Sequence, residues 1–156
     1  MQYAVMHSPV GPLTVVSSEK GVASIQFGAS VPRGVSQDES ANRETVQQLT
    51  EYFEGKRTQF DIPLDLEGTA FQKAVWQELL RIPYGETRSY GDIAKAIGKP
   101  GAARAVGMAN HDNPIAVVVP CHRVVGQNGS LTGYAGGLQL KAQLLSIESQ
   151  HRTLFT

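Results

Sequence analysis

The sequence is poor in sulfur nucleophiles: one cysteine, Cys121, in 156 residues. A single thiol cannot close an internal disulfide, and it cannot build a cysteine-based structural zinc site. A reducing, cytoplasmic setting is therefore expected, with no metal and no cofactor. No apolar run approaches the roughly 20 residues needed to cross a bilayer. The N-terminal "MQYAVMHSPVG" lacks the basic patch and apolar stretch of a signal peptide, so no membrane partner is expected. Internal repeats and low-complexity tracts are missing as well. Net charge is absent too, with 14 Lys/Arg against 14 Asp/Glu, which at first argues against a polyanionic partner.

That zero conceals an asymmetry. Residues 1–68 hold five Lys/Arg and nine Asp/Glu, a balance of −4, while residues 69–156 hold nine and five, a balance of +4. An acidic half joined to a basic half leaves one side on which nucleic acid can dock. The length suits one compact unit or two small subdomains.

The patterning predicts an α/β protein of two subdomains. In residues 1–68, "YAVMHS" and "LTVVSS" flank the turn-forming "PVGP" and "VASIQF" follows "EKG", which predicts a small antiparallel meander. "VPRGVSQDES" reads as a loop. "NRETVQQLTEYFEG" sets Val46, Leu49 and Phe53 at helical spacing with Gly55 as a stop. "QFDIPLDLEG" is an extended connector, and the boundary falls near Gly68.

Residues 69–156 read as mainly helical. Thr69 and Gln72 have capping-box spacing ahead of Phe71, Val75, Leu79 and Ile82, and Pro83 and Gly85 end that helix. Ser89 and Asp92 open a second helix carrying Ile93 and Ile97. After Gly98, Pro100 and Gly101, "AARAVGMANHD" opens a third, which makes a helix-turn-helix candidate beside the plainer reading of a helical hairpin. A last helix, "LQLKAQLLSIES", is expected to face Leu140, Leu144 and Ile147 inward.

A cysteine set in "VVVPCHRVVG" is usually inert packing, because reactivity needs the thiolate and so a base or positive field. His122 is adjacent, yet neighbouring residues of a strand point to opposite faces. Contact with Cys121 therefore demands a turn after Pro120 or a bridging water. Glu148, the only acid on the last helix, could orient the imidazole and complete a Cys–His–Glu relay. Arg104 stands among Gly101, Ala102, Ala103, Ala105 and Gly107. A helix face stripped to Ala and Gly can approach a groove only about 6 Å wide, with the arginine as its one long probe. The same face would equally serve as a packing surface.

The stretch Val119-Pro120-Cys121-His122-Arg123-Val124 resembles the active-site motif of the O6-alkylguanine-DNA alkyltransferases. The similarity runs through "PYGETRSYGDIAKAIGKPGAARAVG", Asn113-Pro114, "GYAGGL" and "LLSIE" ending at Glu148, in the family order. The resemblance implies an irreversible, single-turnover transfer of the alkyl group from O6-alkylguanine, with O4-alkylthymine as a further candidate substrate, to Cys121. It also implies a monomer bound to double-stranded DNA through the minor groove by the helix-turn-helix, with the damaged nucleotide flipped out. Cys121, His122, Glu148 and Tyr90 would be catalytic. Tyr90, Ala102, Ala103, Arg104, Gly107 and Arg123 would meet DNA, with Arg104 filling the vacated stack. Asn113 would be the hinge between recognition helix and active-site strand. The carbonyls of Cys121 and Val124 would accept from the guanine amine, Tyr134 would line the pocket and the Ala135 amide would donate to O6. Ala135 replaces a serine of certain relatives, and Ala116 a pocket-wall proline.

Three other readings compete. A non-enzymatic lesion binder would lack the cysteine. A cysteine hydrolase would leave Arg104 and Tyr90 unexplained. A transcription regulator would read the major groove, which the Ala/Gly face does not favour.

Overall fold

A computed structural model describes residues 1–131 and 137–151. Tyr134 and Ala135, expected in the substrate pocket, lie outside the described residues. The chain divides into two compact units, residues 1–67 with 114–116, and residues 68–113 with 117–156. The sequence boundary near Gly68 does not anticipate that the short segment 114–116 belongs with the first unit.

The first unit is built on strands β1 (Gln2–Ser8), β2 (Gly11–Ser18) and β3 (Gly21–Phe27), joined as antiparallel hairpins. Alternation along each strand sends Leu13, Val15 and Ile25 into a core where they are almost wholly buried. The sheet is mixed rather than purely antiparallel. Within the expected loop, Ser36–Gln37 forms a two-residue strand, β4, parallel to β1, giving the order β3-β2-β1-β4. A strand that short carries no hydrophobic pattern, so the loop composition hides it.

Segments from further along the chain cover the other edge. Val22 donates to the Pro63 carbonyl at 2.9 Å and Asp65 to the Val22 carbonyl at 2.7 Å, while Ile25 donates to Pro114 at 3.0 Å and Ala116 to Ile25 at 3.1 Å. Unpaired strand edges are thereby closed. Gly21 sits at φ 144°, and a β-carbon there would collide with the Pro63 carbonyl, so only glycine lets the connector approach this closely.

Helix α1 (Arg43–Phe53) packs against β1 and buries Thr45, Gln48, Leu49, Tyr52 and Phe53. Val46, expected inward, is only half-buried. The face is rotated because Gln48 is needed inside. Its amide donates to the Asp61 carbonyl at 3.1 Å and accepts from the Asp61 amide at 2.8 Å, replacing a backbone pair for the connector.

In the second unit, helix α2 (Ala70–Leu79) starts at a complete capping box, with Thr69 and Gln72 exchanging bonds. Its buried face is Val75, Trp76 and Leu79, with Phe71 half-buried. The helix ends before Pro83. Arg81 and Ile82 bond three residues back, to Glu78 and Leu79, so the last turn tightens to 3₁₀ geometry and the Ile82 carbonyl is released for another donor.

Helix α3 (Tyr90–Ala96) has the same box from Ser89 and Asp92. A turn through Gly98 leads into α4 (Ala103–His111), and Ile93 and Val106 are buried where α3 and α4 pack. Ile97 is half-buried at the turn. Trp76 Nε1 donates to the Ala109 carbonyl at 2.8 Å and so ties α2 to α4. Strands β5 (Arg88–Ser89) and β6 (Val124–Val125) pair in parallel, and α5 (Leu138–His151) closes the unit. Val117, which re-enters this unit, has φ 71°. A β-branched residue there stores roughly 1–3 kcal/mol, held by complete burial.

Candidate active site

Pro120 solves the geometric problem posed by adjacent Cys121 and His122. Its φ −80° and ψ 64° are those of an inverse γ-turn, closed by the Cys121 amide donating to the Val119 carbonyl at 2.7 Å. Residues Cys121–Arg123 then form a 3₁₀ turn, with Arg123 N donating to the Pro120 carbonyl at 2.9 Å. The chain leaves the extended state before the thiol, so neighbouring side chains need not point to opposite faces.

Two asparagines clamp this turn. Asn113, just beyond α4, donates through Nδ2 to the Val119 carbonyl at 2.9 Å and lies 3.1 Å from Cys121 Sγ. Asn113, expected as a hinge, thus links the end of α4 to the thiol. Asn110, on α4 itself, donates to the Cys121 carbonyl at 3.3 Å. Cys121 is buried, with 5% exposure.

His122 and Glu148 are brought together as the sequence suggests. Nε2 of His122 lies 2.7 Å from Glu148 Oε2, and both side chains are fully buried. The carboxylate also receives the Gly85 amide on Oε1 at 3.1 Å. Gly85 has φ 78°, a left-handed conformation suited to glycine that aims this amide inward.

Arg123 lies inside the second unit. Expected at DNA, it is 6% exposed and turned inward. Nε donates to Glu148 Oε1 at 2.8 Å, Nη2 to Oε2 at 2.9 Å, and Nη1 to the Ile82 carbonyl at 2.7 Å. Its guanidinium carbon lies 5.6 Å from the Tyr84 ring centroid. The motif places it beside the nucleophile in sequence, but its donors match a buried carboxylate rather than a phosphate.

These contacts fix the protonation states. Burial works to raise the Glu148 carboxyl, but the hydrogen bonds and charges of His122 and Arg123 more than reverse this and hold it well below the usual carboxylate range. An ionised carboxylate only accepts, so His122 Nε2 carries a proton. Burial lowers the His122 pKa against the pull of Glu148, with Arg123 and Lys141 adding to the lowering, and the resting imidazole is neutral. Its lone pair is then on Nδ1, which is buried and has no hydrogen-bond partner among the described residues.

Lys141 is the residue that sequence reasoning missed. It is fully buried on α5 and its pKa falls to about 8, burial outweighing the support of Cys121. Nζ lies 5.8 Å from the Tyr90 ring centroid. A β-carbon on Gly107 would sit 3.9 Å from the same ring, so half-buried Tyr90 lies close to both α4 and Lys141. The inward face of α5 is Lys141, Leu144 and Glu148, while Leu140 and Ile147 are half-buried. Spacings of three and four placed two opposite charges on one stripe with Leu144, and that was the available signal.

The remaining expected residues fall on the surface or beside the turn. Ala103 and Arg104 are exposed on α4, with Ala102 and Gly107 half-exposed. Val124 is buried in β6, one residue past the turn. Ala116 is buried and paired with β3 in the first unit. Among the described residues no His, Cys, Asp or Glu cluster could hold a metal ion.

A family model for the ribonuclease-like domain of 6-O-methylguanine DNA methyltransferase matches residues 1–66, and one for its DNA binding domain matches residues 70–150. The chain belongs to this family. It is 51% identical to a methylated-DNA–protein-cysteine methyltransferase of Methanosarcina acetivorans over 153 residues, covering 95% of this chain and 98% of that one. A namesake from Mycolicibacterium paratuberculosis is 49% identical over 155 residues, 97% of this chain and 94% of the relative. The crystal structure of Mycobacterium tuberculosis OGT in complex with DNA superposes with a TM-score of 0.91 at 48% identity, covering 97% and 94% of the two chains.

Proposed function

We propose that the protein repairs duplex DNA by moving the alkyl group of O6-alkylguanine onto its own Cys121, once per molecule. Family membership across both units supports the reaction. The observation that carries the assignment of the nucleophile is the buried thiol, held by Asn113 beside a neutral His122 that is anchored on an ionised Glu148.

The chemistry follows from these states. An alkyl carbon on O6 is out of reach of a buried thiol while the base stays stacked, so the nucleotide must be flipped. A mispaired, alkylated guanine costs less to extrude than a normal one. His122 Nδ1, the only free basic position of the relay, takes the Cys121 proton through one water. The thiolate attacks the alkyl carbon, forming an S–C bond as the C–O6 bond breaks and its electron pair stays with guanine. Tyr90 donates a hydrogen bond to the departing base and stabilises its negative charge, and the guanine anion then takes up a proton from water. A thioether has no hydrolytic exit, unlike the thioester of a cysteine hydrolase, and Cys121 stays alkylated.

Residues 69–156 carry DNA binding and transfer in this reading, with residues 1–68 as a separate α/β domain. Helix α4 enters the minor groove along Ala102, Ala103 and Gly107, and exposed Arg104 takes the place of the extruded base. A protein acting as a monomer in the cytoplasm fits a nucleophile that depends on a reducing setting. Among the described residues no helix is long and apolar enough to cross a membrane.

The test is stoichiometry. With excess duplex carrying labelled O6-methylguanine, label leaves the DNA until one equivalent per protein has been lost, then stops. Cys121→Ala binds the same duplex and removes none. Continued turnover would identify a hydrolase instead.

A further inference from the structure

All three kinds of guanidinium nitrogen on Arg123 are engaged inside the second unit, two of them on the carboxylate that anchors His122. Among the described residues Glu148 in turn receives at least four donors: Arg123 Nε and the Gly85 amide on Oε1, Arg123 Nη2 and His122 Nε2 on Oε2. A carboxylate offers about four lone-pair positions, and these donors occupy them. We propose that Arg123 is a positioning residue for alkyl transfer and not a DNA contact: it fixes Glu148 as a pure acceptor and keeps His122 a neutral base. The inference rests on the alkyl-transfer reading above.

Two consequences follow from the geometry. A proton taken from Cys121 stops at His122, because passing it to Glu148 would require breaking one of the four bonds. The positive charge of Arg123 also limits how far Glu148 can raise the basicity of the imidazole. Without it, an uncompensated carboxylate at 2.7 Å would favour imidazolium at rest. A histidine already protonated cannot accept the thiol proton. The other charged group that bears on His122 is Lys141 from α5, which favours the neutral ring. Tyr84, whose ring lies against the guanidinium, has its hydroxyl pKa raised by burial and by Glu148, so it stays neutral and brings no charge.

DNA contact would demand a free guanidinium edge. At 6% exposure, swinging Arg123 out to a phosphate would strip the carboxylate of two donors and leave a buried charge.

The test measures two quantities on wild type, Arg123→Lys and Arg123→Gln: affinity for an O6-methylguanine duplex, and the single-turnover transfer rate at saturating duplex across pH. Affinity should stay within about twofold in both variants, since a phosphate contact is not lost. For Arg123→Gln the rate should fall by about tenfold or more near pH 6.5, a fraction of what a positioned base contributes. The deficit should shrink as pH rises, because the removed charge lets the His122 pKa climb and moves the acid limb upward. Arg123→Lys keeps the charge but not the fork, so its rate should fall at every pH with the limb unmoved. Should Arg123→Gln fail to fold, Arg123→Lys decides alone by its lower rate at unchanged affinity. Weakened affinity with an unchanged saturating rate would overturn the proposal in favour of a DNA contact. Wild-type rate and affinity in the variants would overturn it in favour of a spectator. Absence of transfer by wild type would instead contradict the alkyl-transfer reading itself.

Discussion

In the first unit the buried polar side chains are Thr14, Ser17, Asn42, Thr45 and Gln48, none of them ionisable at neutral pH. Among the described residues of the second they are Asn110, His122, Arg123, Lys141 and Glu148. The first unit uses buried polarity to satisfy backbone. Gln48 serves the Asp61 peptide, and Thr14 Oγ1 donates to the Gly28 carbonyl at 2.7 Å. The second unit takes His122, Arg123, Lys141 and Glu148 out of water, each at a desolvation cost that apolar residues would avoid. Nothing about packing demands them. Their concentration around one thiol marks where stability has been given up for reactivity.

If that comparison is right, removing charge from the second unit should damage folding and chemistry together. Glu148→Ala leaves Arg123 buried without its partner, and is expected to destabilise the protein by about 3–5 kcal/mol. Denaturant melts check the stability, and single-turnover rates on the folded fraction should be strongly reduced. The sign of the pH effect is fixed by the depressed carboxyl. Its contribution is present above the unfolded carboxyl range and is lost only as pH falls through the lower folded value, so near neutrality the wild-type advantage should be flat.

The matching change in the first unit should separate the two effects. Leu49→Ala empties a fully buried position on α1 and should cost about 2–5 kcal/mol. The transfer rate per folded molecule should match wild type. A rate loss as large as the stability loss would break the distinction between the units.

The smallest effect concerns Lys141. Its pKa of about 8 lies below the ordinary lysine value of 10.5, so between those values the unfolded chain binds more protons than the folded one. Stability should therefore rise with pH across that window. Reactivity should move the other way, because the ammonium that supports a Cys121 thiolate loses its charge as pH passes about 8. Lys141→Met should flatten both trends, which paired melts and transfer rates from about pH 7 to pH 10 would show.

The sequence discloses features that depend on local chemistry. The capping boxes at Thr69–Gln72 and Ser89–Asp92, the meander of β1 to β3 and the turn at Pro120 each follow from residues a few positions apart. The pairing of His122 with Glu148 is hinted at only by the lone acid on the last helix, since the sequence does not carry the distance between them. The inward face of α5 was misread because hydrophobicity selects Leu140 and Ile147, whereas the partners that make Lys141 and Glu148 buriable are distant in sequence. Gly85, Tyr90, Cys121, His122 and Arg123 come from other elements. The surroundings of Arg123 are hidden for the same reason. Its carboxylate partner lies 25 residues away in sequence.

The central claim is that Cys121 itself is the final acceptor. Incubation with an O6-methylguanine duplex, followed by intact mass and peptide mapping, tests it directly. The account predicts one added methyl group per chain, found on the peptide holding Cys121 and stable to dilution and to repeated DNA challenge. An unmodified protein alongside demethylated DNA, or a methyl group on any other side chain, would contradict it.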